Sequence, residues 1–166
     1  MNNQLATIFK SYGVISPECC VCTHDSRVHS IRYIGVTKSK DHSLQEGVIL
    51  IRPGYARDFD IINVLQHFWQ EIQKACSQAN RMVFMFDMEK ISYSYHNARI
   101  ALAMHGVIKA FSQNGLGRII VVNPSKQLAM FLKVIPLLHM NELTVMKLEQ
   151  LPLLLTHEQI KYLLPQ

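Results

Sequence analysis

Two stretches of this 166-residue chain gather side chains that could do chemistry. The first is Cys-Cys-Val-Cys-Thr-His at 19–24, with His29 close behind. Thiolates and imidazoles are zinc ligands, provided that they converge tetrahedrally. Cys19, Cys22 and His24 are the metal candidates, because Cys19 to Cys22 is the usual C-x-x-C spacing. No second such pair follows, so reduced and partly buried thiols are the plainer reading. Nothing in the sequence marks a base or an oxyanion hole that would make one of these cysteines a nucleophile.

The second stretch begins at Asp87, which closes the apolar run Met-Val-Phe-Met-Phe at 82–86. The carboxyl end of a central strand is the usual place for ligand chemistry in an open α/β sheet. Lys90-Ile91-Ser92-Tyr93-Ser94-Tyr95-His96-Asn97 follows and leads into a predicted helix. Helix N-termini attract anions, and hydroxyls there also serve as ordinary caps. Lys90 and Arg99 would supply charge to this surface. Ser92, Ser94 and Tyr95, with His96 and Asn97, would supply hydrogen bonds or a modification site. Asp87 and Glu89 have no evident second acid, and the phosphate-loop, dinucleotide, zincin and nucleophile-elbow motifs are all missing. The reading is non-enzymatic, with no cofactor expected.

The elements that must position these residues follow from hydrophobic period. Residues 2–12 place Leu5, Ile8, Phe9 and Tyr12 on one helical face, and Gly13 stops it. Residues 14–28 read as irregular. Residues 28–38 and 48–52 read as two strands of an opening hairpin, closed by Pro53-Gly54. From 58 to 76 the stripe Ile61, Leu65, Phe68, Trp69, Ile72 and Cys76 predicts a helix, with Asp58 or Asp60 at its positive end. Trp69, on that stripe, is expected in the core. A buried strand is expected at 82–86, a helix at 97–112, a strand at 118–122 and a helix at 126–138 limited by Pro136. A last strand at 143–148 and a short helix from Thr156 complete the chain. Strands alternating with helices after a hairpin predict an α/β domain with a mixed, largely parallel sheet and flanking helices.

Composition excludes other classes. With 49% apolar and 17% charged residues, the chain is neither disordered nor low-complexity. No apolar run approaches the ~20 residues of a membrane span, and the first residues do not read as a secretory signal. The expectation is a cytoplasmic domain with no transmembrane segment. The net charge is +5, and residues 91–140 contain no Asp or Glu. Such a field suits a phosphate, an acidic protein surface or anionic lipid. Without interleaved aromatics or a dense basic helix, nucleic acid is not expected.

The order of these elements resembles the STAS domain, the fold of bacterial anti-sigma-factor antagonists. The residues that carry the resemblance are Gly-Val-Ile-Leu-Ile-Arg-Pro-Gly at 47–54, Met-Val-Phe-Met-Phe-Asp at 82–87, Gly-Arg-Ile-Ile-Val-Val at 117–122 and Leu-Thr-Val-Met-Lys-Leu at 143–148. The resemblance implies a STAS-like domain over 28–166, preceded by an N-terminal helix and irregular segment over 1–27. It implies a regulatory interaction module whose protein partner is a kinase or anti-sigma-like regulator, and it leaves room for a homodimer. In that family a serine at the helix start is phosphorylated. The corresponding slot falls near Ala98, with Ser92 or Ser94 as substitutes. A phosphate there would bring nearly two negative charges beside Lys90 and Arg99.

A second resemblance is to the CRAL-TRIO (Sec14-like) domain. Ile-Ile-Val-Val-Asn-Pro at 119–124 resembles that family's strand ending in Asn-x-Pro, and Lys133-Val-Ile-Pro136-Leu-Leu resembles its Lys-Pro-Phe-Leu. This alternative implies a lipid or other apolar ligand in an apolar cavity. The eight methionines suit an adaptable pocket and an ordinary core equally.

Overall fold

The apolar runs singled out above are the inner strands of a five-stranded sheet. The structure, a computed structural model, describes residues 2–23, 28–37, 45–91, 95–134 and 143–163. Its strands are β1 (Ile31–Val36), β2 (Glu46–Ile51), β3 (Arg81–Asp87), β4 (Gly117–Val122) and β5 (Leu143–Met146). They lie side by side in chain order. β1 runs antiparallel to β2, and β2 to β5 are mutually parallel. The mixed, largely parallel α/β sheet opened by a hairpin is therefore present. Helices α1 (Asn2–Ser11), α2 (Ile61–Cys76), α3 (Tyr95–Gln113), α4 (Lys126–Val134) and α5 (His157–Lys161) accompany it.

The strand order decides how the two faces are covered. Right-handed crossovers between parallel strands laid down in sequence send every crossover helix to the same face. On that face Ile49, Ile51, Phe84, Ile119 and Val121 pack with α1, α2 and α3. Phe9 of α1 stacks on Trp69 of α2 with ring centres 5.0 Å apart, so the tryptophan is core, as its place on the stripe predicts. Alternate residues point the other way, and Val48, Leu50, Val83, Met85, Ile120 and Val122 form a second apolar layer. Among the described residues, no crossover helix packs on that layer. It is covered by the C-terminal segment through Leu151, Leu155 and Leu163.

Sequence period misjudged this last segment. The expected strand at 143–148 stops at Met146, and Leu148–Leu153 forms a 3₁₀ helix instead. Gln150 accepts from the Lys147 N–H at 2.9 Å and starts that turn, and Pro152 inside it donates no backbone hydrogen bond. A 3₁₀ helix puts Leu148 and Leu151 on one edge. Leu151 is fully buried against the sheet.

The segment is clipped to the far edge strand by the Gln159 side chain, and the Arg32 guanidinium of β1 lies over the Tyr162 ring at 4.4 Å. β1 carries a bulge between Tyr33 and Val36, with Gly35 at φ 103°, a conformation that glycine adopts freely. The Gln159 amide donates to both carbonyls flanking that glycine, Ile34 at 3.0 Å and Val36 at 2.9 Å. Its oxygen meanwhile accepts from the Thr156 N–H at 2.8 Å, in the capping box that starts α5. Gln159→Leu removes all three bonds and leaves buried acceptors without donors. We expect a loss of about 1–3 kcal/mol, read as a lower urea midpoint with an unchanged slope.

α2 has a second, polar stripe beside its apolar one. Asp60 caps the helix, accepting from the N–H groups of Ile62 and Asn63, both at 3.0 Å. Further along, His67 donates from Nε2 to the Ile31 carbonyl at 2.6 Å, and Glu71 accepts from the Tyr33 N–H at 2.7 Å. Both partners lie on the outer edge of β1. An unpaired strand edge is open to pairing with other chains, and α2 closes this one with side chains.

Candidate functional site

The parallel register brings three polar residues to the carboxyl ends of three adjacent strands. Ile51 pairs with Phe86, and Asp87 pairs with Val122. Arg52, Asp87 and Asn123 therefore emerge side by side. Asp87 is fully buried. Its carboxylate accepts from Arg52 Nε at 2.9 Å, from Asn123 Nδ2 at 2.9 Å and from the Glu89 N–H at 3.1 Å. The remaining guanidinium donors reach the carbonyls of Tyr162 and Leu163, at 3.0 and 3.4 Å. One arginine thus joins β2, β3 and the end of α5, whose last carbonyls need donors.

The loop after β3 is held just as closely. The Arg52 guanidinium lies over the Tyr55 ring at 3.9 Å and Lys90 Nζ over the same ring at 4.8 Å. The Tyr55 hydroxyl donates to Glu89 at 2.6 Å. That hydrogen bond, followed by desolvation, holds the phenol above its ordinary pKa. Lys90 and Asn123 both adopt left-handed backbone, with φ of 57° and 51°. Non-glycine residues held in that region cluster at functional sites.

Beside this network a cleft of about 730 Å³ opens between the ends of β3 and β4 and the C-terminal cover. Met88, Ile91, Leu148, Leu151, Ile160 and Leu163 give it apolar walls, Lys90, Ser125 and Glu149 stand at the rim, and Glu89 and Asn123 complete the lining. Its size falls within the roughly 300–1,000 Å³ of small-molecule sites, which are walled mainly by apolar groups with few polar ones.

The residues predicted from sequence separate in space. Asp87 and Lys90 belong to this site, although Asp87 anchors the network and does not face a reactant. Arg99 lies on α3 and borders another depression, of about 490 Å³, with Phe59 and Ile61. Tyr95, His96 and Asn97 form the first turn of α3, and their side chains lie outside the described set, as do Ser92, Ser94 and His24. Arg52 and Asn123 bind Asp87 directly. Those two residues and Tyr55 were missed. The available signal was that the runs ending in Arg52 and Asp87 close on opposite charges.

Of the sequence-predicted metal candidates, Cys19 and Cys22 lie among the described residues and His24 does not. Cys19 and Cys22 converge with His29 and His67. Burial, and then the neighbouring Cys19, pushes the Cys22 thiol up to about 12. Left to itself that sulfur is a thiol at neutral pH and a poor nucleophile.

Residues 20–152 match the family model of the CRAL/TRIO domain. The chain belongs to the CRAL-TRIO family. The match contains the strands, the Asn123-Pro124 turn and the stretch from Lys133. It replaces the STAS assignment, which rested on element order that the two families share. The kinase or anti-sigma partner and the homodimer came only with that assignment, and the family match does not support them. A comparison with curated proteins finds no match. Among its described residues, this CRAL-TRIO domain has no helix long and apolar enough to cross a membrane.

Proposed function

We propose that this CRAL-TRIO domain binds a lipid or similar amphiphile, with its apolar chain in the cleft between β3, β4 and the C-terminal cover. The observation that carries this reading is an apolar-walled cleft at the strand ends of a chain in that family. Burial of alkyl groups from water provides the drive, at about 0.8 kcal/mol per CH₂. Lys90, Ser125 and Glu149 at the rim suit a polar head.

Native mass spectrometry of the freshly purified chain tests this. An adduct with the mass of a lipid, lost on denaturation, is the expected result. Leu148 lines the cleft and is 47% exposed, so a charge at 148 leaves the fold intact. Leu148→Glu is expected to weaken uptake of a fluorescent fatty acid about tenfold, the usual effect of spoiling one apolar contact. A bare mass together with no uptake of the fatty acid by the parent protein would falsify the reading.

A further inference from the structure

The cluster formed by Cys19, Cys22, His29 and His67 does not line the cleft. Cys19 and Cys22 come from the segment ahead of β1, which holds a single 3₁₀ turn at Val21–Thr23. His29 lies two residues before the start of β1, and His67 belongs to the polar stripe of α2. One donor atom from each lies within 4.8 Å of every other. Zinc bonds of about 2.3 Å to sulfur and 2.0 Å to nitrogen set tetrahedral edges of roughly 3.3–3.8 Å. His29 Nδ1 stands 3.1 Å from Cys22 Sγ and 3.7 Å from Cys19 Sγ. These two pairs are near that spacing, and the other pairs lie within 4.8 Å.

The surroundings select the ligating atoms. His67 donates through Nε2 to the Ile31 carbonyl, which leaves Nδ1 with a lone pair. That Nδ1 is buried and has no hydrogen-bond partner, although the residue is only 3% exposed. A native protein seldom leaves a buried polar atom unsatisfied without a reason such as an ion. His29 donates through Nε2 to Asp58 at 2.9 Å, which turns its own Nδ1 toward the sulfurs. Asp58 is itself fixed by Asn63 Nδ2 at 3.0 Å and by the Asp60 N–H at 2.9 Å. Metal-bound histidines typically donate their second nitrogen to a carboxylate or a backbone carbonyl, and here one of each is present. Ser30, next to His29, adopts φ 52°, a backbone conformation that a serine holds only when its surroundings impose it.

We propose that Cys19, Cys22, His29 and His67 form a structural zinc site that staples the segment ahead of β1 to α2. Two thiolates and two neutral imidazoles arranged tetrahedrally favour zinc over magnesium or calcium, which take oxygen ligands. Both thiols lose their protons to solvent as the metal binds. All four protein ligands close the coordination sphere, so no position remains for a catalytic water.

The whole chain, purified under reducing conditions and stripped with a chelator, is titrated with cobalt(II) as a spectroscopic probe and then with zinc. We expect one equivalent of cobalt to give the visible bands of tetrahedral cobalt and a thiolate charge-transfer band. One equivalent of zinc should abolish both. Zinc loading should also protect the segment around residues 14–30 from proteolysis. Cys22→Ser should weaken binding more than about 100-fold, beyond the 10–100-fold typical of outer-shell changes. His67→Gln keeps a donor for the Ile31 carbonyl, so the β1 edge stays closed while the ligand is lost, and the cobalt spectrum should change. His24→Gln should leave it unchanged. A spectrum lost in His24→Gln but kept in His67→Gln overturns the ligand set. An octahedral cobalt spectrum, or a Cys19–Cys22 disulfide with no metal uptake after reduction, overturns the site.

Discussion

Arg52→Met is expected to destabilise the fold by about 3–5 kcal/mol, the usual cost of stripping a buried carboxylate of its cation. Methionine retains the apolar stem and removes only the guanidinium. Asp87, fully buried, would keep Asn123 Nδ2 and the Glu89 N–H and lose its one cation. The carbonyls of Tyr162 and Leu163 would lose their donors as well. The urea midpoint should fall far, and proteolysis should begin in the C-terminal cover. The double variant Arg52→Met with Asp87→Leu separates two explanations. A recovery of half or more of the loss assigns most of it to the stranded charge. No recovery assigns it to the freed end of α5. A loss below about 1 kcal/mol for the single variant, the range of an exposed pair, would mean that water reaches Asp87 through the cleft.

Gly54→Ala is the second large effect. A Cβ at this position would fall on the Glu89 carbonyl, with the Lys90 carbonyl only 2.7 Å away. Those are backbone atoms, so no side chain can turn aside to make room. The loop would have to move as a whole, and Lys90 is already in the left-handed region. Its displacement breaks the Tyr55–Glu89 hydrogen bond and withdraws the Glu89 N–H from Asp87. We expect about 3 kcal/mol, the upper end for overpacking, together with loss of fatty-acid uptake, since Met88 to Ile91 wall the cleft. Normal uptake at reduced stability would show that the ligand does not contact this loop.

The fold was legible where period alone decides. The apolar runs at 82–86 and 118–122 and the stripe of α2 gave elements in the right order, and alternation gave the class. What escaped depends on register and on polar stripes. The partnership of Asp87 with Arg52 was not visible because Arg52 lies 35 positions earlier and becomes its neighbour only when β2 and β3 align in parallel. His67 drew no notice because it lies beside the apolar stripe and not on it. Its function at the β1 edge, and toward Cys19 and Cys22, exists only once α2 has docked. That His29 and His67 converge with Cys19 and Cys22 could not be read from sequence either, because proximity along the chain does not measure convergence in space. The cleft itself could not be read, because one wall is a 3₁₀ helix with no regular apolar period of its own.

The order of the strands also has a consequence in time. During synthesis, β1 to β4 and the helices α1 to α3 can assemble as soon as they emerge, and they complete one face of the sheet. The opposite face, with Val48, Leu50, Val83, Met85, Ile120 and Val122, stays bare until residues 148–163 have been translated. Partly made chains with exposed apolar surface are prone to aggregate. A nascent chain of this protein therefore carries a one-sided sheet until residue 148 and its successors emerge, and a ribosome stalled before residue 148 would display an open greasy surface to chaperones.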